Sequence, residues 1–200
     1  MYSDNPDVNN ANTAASPAET NVLFVCTGNI CRSPVGELVL NSLALPGVHA
    51  RSAGTSALVG EEIDPSMRQM LEQDGIPAQH FRARQLSAAI IQHSDIIVTA
   101  AGEHRGVVLR EAPGALRRTF TLRELADLTE LAEQNGPIEP LERKARLAQL
   151  VRLRSLRSPD ALNDIEDPYR LSDVHYREAY QTISESVRGP LARLLTSFLN

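Results

Sequence analysis

Cysteine is almost missing from this chain of 200 residues: there are two, Cys26 and Cys31, close together in one short segment. Two cysteines so placed cannot build the disulfide framework of a secreted domain, and a reducing compartment is the expectation. Lysine is rarer still, since Lys144 stands alone and the basic charge is carried by arginine. Positive charge is outweighed overall, 20 Lys+Arg against 25 Asp+Glu for a net −5, which argues against nucleic acid or an anionic membrane as a partner. No apolar run reaches the roughly 20 residues needed to cross a bilayer. The N-terminus carries Asp4, Asp7 and Glu19 with neither a basic start nor an apolar centre, so it does not read as a secretion signal. A cytoplasmic protein is expected. The five histidines are scattered without zinc spacing, and neither a metal nor a cofactor is expected.

What remains is an ordinary globular composition, 42% hydrophobic and 22% charged, of a length that suits one domain. Residues 1–20 are rich in Asn, Ala, Ser and Pro and cannot bury enough surface to offset their ordering entropy. They are expected to be a disordered tail, with a single domain over 21–200. Val22-Leu23-Phe24-Val25 has the continuous apolar pattern of a strand buried on both faces. A glycine-containing loop follows, and then a helix in which Ser33 is the expected N-cap and Pro34 the first residue. Strand and helix patterns keep alternating. Strands are expected at Val48–Ala53 and Ile96–Val98, and Thr119–Leu122 is either a short strand or a strand-to-helix junction. Helices are expected after Asp64-Pro65, over Ser87–Gln92, over Glu103–Glu111 and over about Ser172–Phe198, the last kinked at Gly189-Pro190. Two more helical stretches lie between Leu122 and Leu156, broken around Gly136-Pro137. Such alternation implies an α/β fold with a parallel sheet covered by helices on both faces.

In open sheets of this kind ligands bind beyond the carboxyl ends of the strands, where a helix N-terminus offers unpaired N–H groups to an anion. The loop Cys26-Thr27-Gly28-Asn29-Ile30-Cys31-Arg32 lies at such a place. It adds a thiol at its start and a guanidinium six residues later. The thiolate form of cysteine is a strong nucleophile, and arginine grips two phosphate oxygens with a fork that lysine lacks. Gly28 permits close approach or positive φ, and Asn29 tolerates the left-handed region. The Ser33 hydroxyl is placed to donate to the thiolate as well as to cap. Against this stands the plainer reading of a packed cysteine and a surface arginine.

Val25-Cys26-Thr27-Gly28-Asn29-Ile30-Cys31-Arg32-Ser33-Pro34 resembles the signature loop of the low-molecular-weight protein tyrosine phosphatases. The similarity continues through Ser52-Ala53-Gly54-Thr55, Ala57-Leu58-Val59-Gly60, Asp64-Pro65, Ala83-Arg84-Gln85 and Glu166-Asp167-Pro168-Tyr169-Arg170. The wall segment Ala57–Gly60 resembles the bacterial members tied to exopolysaccharide control, and the tryptophan of the eukaryotic type is absent. The resemblance implies a flavodoxin-like four-stranded parallel sheet and hydrolysis of phosphotyrosine through a phosphocysteine on Cys26. It makes Arg32 the phosphate clamp and Asp167 the general acid and base. Thr27, Gly28, Asn29, Ile30, Cys31 and Ser33 then surround the phosphate, and Tyr169 stacks on the substrate ring. It also implies a phosphotyrosine-containing protein as partner, a bacterial tyrosine kinase being one candidate. Cys31 either packs or forms a reversible disulfide with Cys26.

Three rival functions are weighed against this. A thioredoxin-linked arsenate reductase on the same fold needs further cysteines downstream of Cys31, and none exists. Arginine phosphatases among the bacterial relatives carry a threonine before the second cysteine, where this chain has Ile30. A silent phosphate-binding module predicts loss of Cys26, Arg32 or Asp167, and all three are present. Two departures from the family pattern stand out. Ala100-Ala101 replaces a methionine and an acidic residue after the third strand. The Arg-rich stretch between Thr121 and Asp164 is longer than in compact relatives and is either a partner surface or a solvated helical pair.

Overall fold

The computed structural model describes residues 19–134, 142–158, 161 and 163–198. The expected tail therefore lies outside the described residues as far as 18, as does the break at Gly136-Pro137. Four parallel strands, β1 (Thr20–Cys26), β2 (Val48–Gly54), β3 (Ile96–Thr99) and β4 (Thr119–Thr121), form one sheet in the order β2-β1-β3-β4. β1 begins at Thr20, which pairs with Val48 and whose N–H donates to the Gly47 carbonyl at 2.7 Å.

β1 shows why a continuous apolar run was needed. Val22 and Phe24 point into one core with α1 (Arg32–Ser42), α2 (Pro65–Gln73), α5 (Leu122–Gln134) and α7 (Asp173–Ser186). Leu23 and Val25 point into a second, smaller core with α3 (Ala88–Gln92) and α4 (Gly102–Glu111). Adjacent strand residues face opposite ways, so a strand covered on both sides must be apolar at every position. α6 (Arg143–Leu153) adds Leu147 and Leu150 to the larger core. Asp64 caps α2 by accepting from the Ser66 N–H at 2.9 Å, and Ser87 caps α3.

One expectation is corrected. The first helix starts at Arg32 with Cys31 as its cap residue, so Ser33 lies inside the first turn and its hydroxyl caps nothing. At Gly189-Pro190 the final helix widens into a π turn over Val187–Leu191 and continues as α8 (Ala192–Thr196). The wider turn accommodates Pro190, which has no N–H to give to an α-helical ladder.

The strand order makes β1 the switch point: the chain leaves it to one side for β2 and returns to the other side for β3. The crevice at the carboxyl ends of β1 and β3 is where such folds bind ligands. The Cys26–Arg32 loop opens there.

Candidate active site

The loop is held by its carbonyls. Cys26 and Thr27 accept from the Thr55 and Ser56 N–H groups at 2.9 and 3.0 Å, Gly28 from Leu58 at 3.0 Å and Ile30 from Asp64 at 2.8 Å. In a trans peptide the N–H points opposite to the C=O. The N–H groups of Thr27, Gly28, Asn29 and Cys31 are thereby turned away from the wall segment, and none donates to an acceptor among the described residues. With the open first turn of α1 behind them they form a nest of donors, a site for an anion. Gly54 permits this arrangement: a Cβ there would lie 2.4 Å from the Thr27 carbonyl oxygen and 3.0 Å from the Ala57 Cα.

Asn29, and not Gly28, takes the left-handed conformation, with φ of 54°. Its side chain is fully buried behind the loop. The Arg84 N–H donates to its Oδ1 at 2.8 Å, which settles the amide's orientation, and Nδ2 donates to Ser33 Oγ at 2.9 Å and to Ser52 Oγ at 2.8 Å. Ser52 in turn donates to Glu37 at 2.5 Å, and Arg84 reaches the other oxygen of Glu37 at 3.4 Å. Burial raises the Glu37 pKa above the usual carboxylate range, opposed by the Ser52 hydrogen bond and Arg84. Ser33 Oγ, which accepts from Asn29, also hydrogen-bonds with Cys26 Sγ 2.9 Å away, and is the donor when the sulfur is a thiolate.

Cys26, 2% exposed, lies at the floor of a pocket of about 180 Å³ lined also by Thr27, Gly28, Ile30, Cys31 and Arg32, with Ser56, Leu58, Asp167 and Tyr169 above. Both cysteines are free thiols. Burial, and then the Asp64 carboxylate, pushes the Cys31 thiol far up, which keeps it protonated. Arg32 is 5% exposed; it donates to the Ile165 carbonyl at 3.1 Å and to Asp167 Oδ2 at 2.5 Å. Asp167 also accepts from the Tyr169 N–H at 3.3 Å. The structure thus gathers eight of the ten sequence-picked residues around one pocket and puts Asn29 and Ser33 directly behind it.

Three supports were not picked from sequence. His104 is 1% exposed and hydrogen-bonds through Nε2 to Thr27 Oγ1 at 2.9 Å; burial, and then Arg32, lowers its pKa. A lone histidine near the start of the expected helix Glu103–Glu111 gave no signal. Glu37, in the middle of α1, gave none either. Asp164 accepts from the Gly102 N–H at 2.8 Å, capping α4 where Ala101 offers no side chain. It does so from the segment carrying Asp167, which is further tied in by the Ile165 N–H donating to the Ala100 carbonyl at 2.8 Å.

Residues 21–139 match the model of the family described as low molecular weight phosphotyrosine protein phosphatase. The chain is 36% identical over 109 residues to a protein-arginine-phosphatase of Geobacillus stearothermophilus, covering 54% of this chain and 73% of that one. It is 38% identical over 104 residues to a probable low molecular weight protein-tyrosine-phosphatase, EpsP, of Ralstonia solanacearum, covering 52% and 71%. Among solved structures, the YwlE arginine phosphatase from Geobacillus stearothermophilus superposes with a TM-score of 0.67 at 27% identity over 88% of this chain and 93% of that one.

Proposed function

The chain belongs to the low molecular weight phosphotyrosine protein phosphatase family, and from that premise we propose that it hydrolyses phosphotyrosine in proteins with Cys26 as nucleophile. The observation that carries this reading is the row of loop N–H groups without an acceptor among the described residues, on a loop that lines one pocket together with Cys26 and Arg32. Three equatorial oxygens of a phosphoryl group in flight are met there by donors already in place, the arrangement that stabilises a transition state without reorganisation.

The sequence of events is as follows. A phosphate entering the nest draws Arg32 away from Asp167, so the clamp engages and the carboxyl group is freed together. The Cys26 thiolate, with the Ser33 O–H donated to it, attacks phosphorus. Asp167, freed from Arg32, takes a proton from solvent; as the bond from phosphorus to the tyrosyl oxygen breaks, it delivers that proton to the departing phenolate. Water then attacks the phosphocysteine, Asp167 takes its proton, the sulfur–phosphorus bond breaks and Cys26 leaves as thiolate. Asp167 lies beyond the residues matched by the family model, so its assignment rests on the pairing with Arg32.

Substrate choice follows from the walls. The sulfur sits at the pocket floor between the apolar Ile30 and Leu58 and the ring of Tyr169. A phosphoserine is too short to bring its phosphorus there with the peptide outside, whereas a phosphotyrosine ring fills the slot. Ile30 gives no hydroxyl to a phosphoguanidinium, which favours phosphotyrosine over the arginine-phosphatase activity named for one relative. A tyrosine-phosphorylated kinase is the partner this reading suggests, in a reducing cytoplasm that keeps Cys26 free.

The test is phosphate release from peptides carrying phosphotyrosine, phosphoserine or phosphoarginine, with a chelator present. Turnover confined to phosphotyrosine, abolished in Cys26→Ser and strongly slowed in Asp167→Ala, is expected. Preference for phosphoarginine would overturn the substrate assignment, and undiminished turnover in Cys26→Ser would overturn the mechanism.

A further inference from the structure

Arg170 is an arginine in a place that suits glycine. Its φ is 64°, a left-handed conformation in which a Cβ crowds the following carbonyl. The turn is held there by the Leu171 N–H, which donates to the Pro168 carbonyl at 2.9 Å, and by the Arg170 N–H, which donates to Tyr176 Oη at 3.4 Å. Tyr176 in turn donates to Asp64 at 3.1 Å, and Asp64 binds the Ile30 carbonyl, so the turn is tied to the catalytic loop itself.

The side chain that occupies this costly position is exposed, and its guanidinium lies over the Tyr169 ring, 5.0 Å from the centroid. Glu166, Asp167 and Asp173 all lie within four residues along the chain, yet among the described residues no carboxylate forms an ion pair with it. Arg32, the other cation of the site, is 5% exposed and already held by Asp167. Arg170 is therefore a positive charge at the rim of the pocket, oriented by stacking and left without an anionic partner. Stacking also removes much of the rotamer freedom that makes exposed arginine pairs weak.

We propose that Arg170 is a specificity residue that recognises an anionic side chain, a carboxylate or a second phosphate, one or two residues from the phosphotyrosine. This rests on the phosphotyrosine reading of the pocket. An extended peptide advances about 3.3–3.6 Å per residue. A phosphotyrosine ring against Tyr169 thus brings its next neighbours within reach of a guanidinium 5.0 Å from that ring. A neutral or basic neighbour gains nothing there. The enzyme favours acidic or multiply phosphorylated tyrosine segments.

Recognition is read separately from turnover, as Kd in the Cys26→Ser background. Three peptides differ only at the residues flanking phosphotyrosine: Gln, Glu, or a second phosphotyrosine. The Glu peptide should bind about two- to fivefold more tightly than the Gln peptide in dilute buffer, as an exposed ion pair allows. The doubly phosphorylated peptide, with about twice the charge, should gain more. Both advantages should shrink as salt shortens the screening length, vanish in Arg170→Asn and reverse toward an Arg-flanked peptide in Arg170→Glu. Asparagine tolerates the left-handed turn, and ratios between peptides are unmoved by a general loosening of the pocket. Equal Kd values for the three peptides, or a preference that survives Arg170→Asn, overturns the proposal. If only the second phosphate is favoured, the source is phosphate and not carboxylate. Kd ratios as expected with no turnover by the wild type would count against the phosphatase reading alone.

Discussion

Ser33 Oγ lies 2.9 Å from Cys26 Sγ, and among the described residues the sulfur is its only hydrogen-bond partner besides Asn29 Nδ2, which donates to it. When Cys26 is a thiolate, which only accepts, Ser33 is the donor. Ser33→Ala removes that bond and leaves the N–H nest intact. Hydrogen bonds to charged groups are worth about 1.5–3 kcal/mol, so kcat should fall roughly 10- to 100-fold with KM nearly unchanged. Steady-state kinetics on a phosphotyrosine peptide checks this, and Ser33→Thr should restore part of the loss.

Asn29 combines a left-handed backbone with three side-chain hydrogen bonds, and two substitutions separate these roles. Asn29→Gly relieves φ but strands the Arg84 N–H and takes a donor from Ser33 and Ser52, which keep only Cys26 and Glu37 as partners. Asn29→Ala loses the same bonds and adds strain. Each unpaired buried group costs about 1–3 kcal/mol, so both variants should lower the denaturant midpoint, alanine more than glycine. Both should also lose most activity, since the hydroxyl facing Cys26 is no longer oriented. Activity that survives in Asn29→Gly would mean that the network matters for stability alone.

Much of this was legible in the chain because strand β1 is apolar at every position and the loop after it is dense in chemistry. Cys26, Arg32 and Asp167 announced themselves by residue type in a recognisable pattern. The supports did not. In sequence Ser33 suits both a cap and a partner of the sulfur, and the structure keeps only the contact with Cys26. Positive φ is open to Gly28 and Asn29 alike; it falls on Asn29, whose buried hydrogen bonds a sequence does not reveal. Ala100-Ala101 looked like a loss of support, yet Asp164, more than sixty residues later, caps α4 instead. Long-range polar pairs of this kind leave no periodicity to read.

Asp167 is paired with Arg32 and 46% exposed, so it can exchange protons with solvent once the pair opens. If it protonates the leaving oxygen, its removal should hurt most where the leaving group is most basic. Asp167→Asn should slow a phosphotyrosine peptide by about 100-fold or more, within the range for general acid catalysis. The effect on 4-nitrophenyl phosphate, whose leaving group departs readily without a proton, should be distinctly smaller. Equal losses on both substrates would assign Asp167 to holding Arg32 and not to proton transfer.

His104 reports on the site through stability. Burial, and then Arg32, depress its pKa below 6.5, so the folded protein holds the imidazole neutral while the unfolded chain takes up a proton as pH falls through that value. Below about pH 6.5 the unfolded state therefore binds more protons, and this group makes stability decline with acid until the folded-state pKa is also passed. The wild-type melting temperature should drop between pH 7 and pH 5, and His104→Gln, which keeps a polar contact to Thr27 without a titrating ring, should drop less. The Thr27 hydroxyl also accepts from Arg32 at 3.5 Å, so protonating His104 places a second cation close to Arg32. The acid limb of kcat should accordingly change shape in His104→Gln when measured on a phosphotyrosine peptide. Melting curves of the two proteins that stay parallel from pH 7 to pH 5 would remove His104 from the acid response.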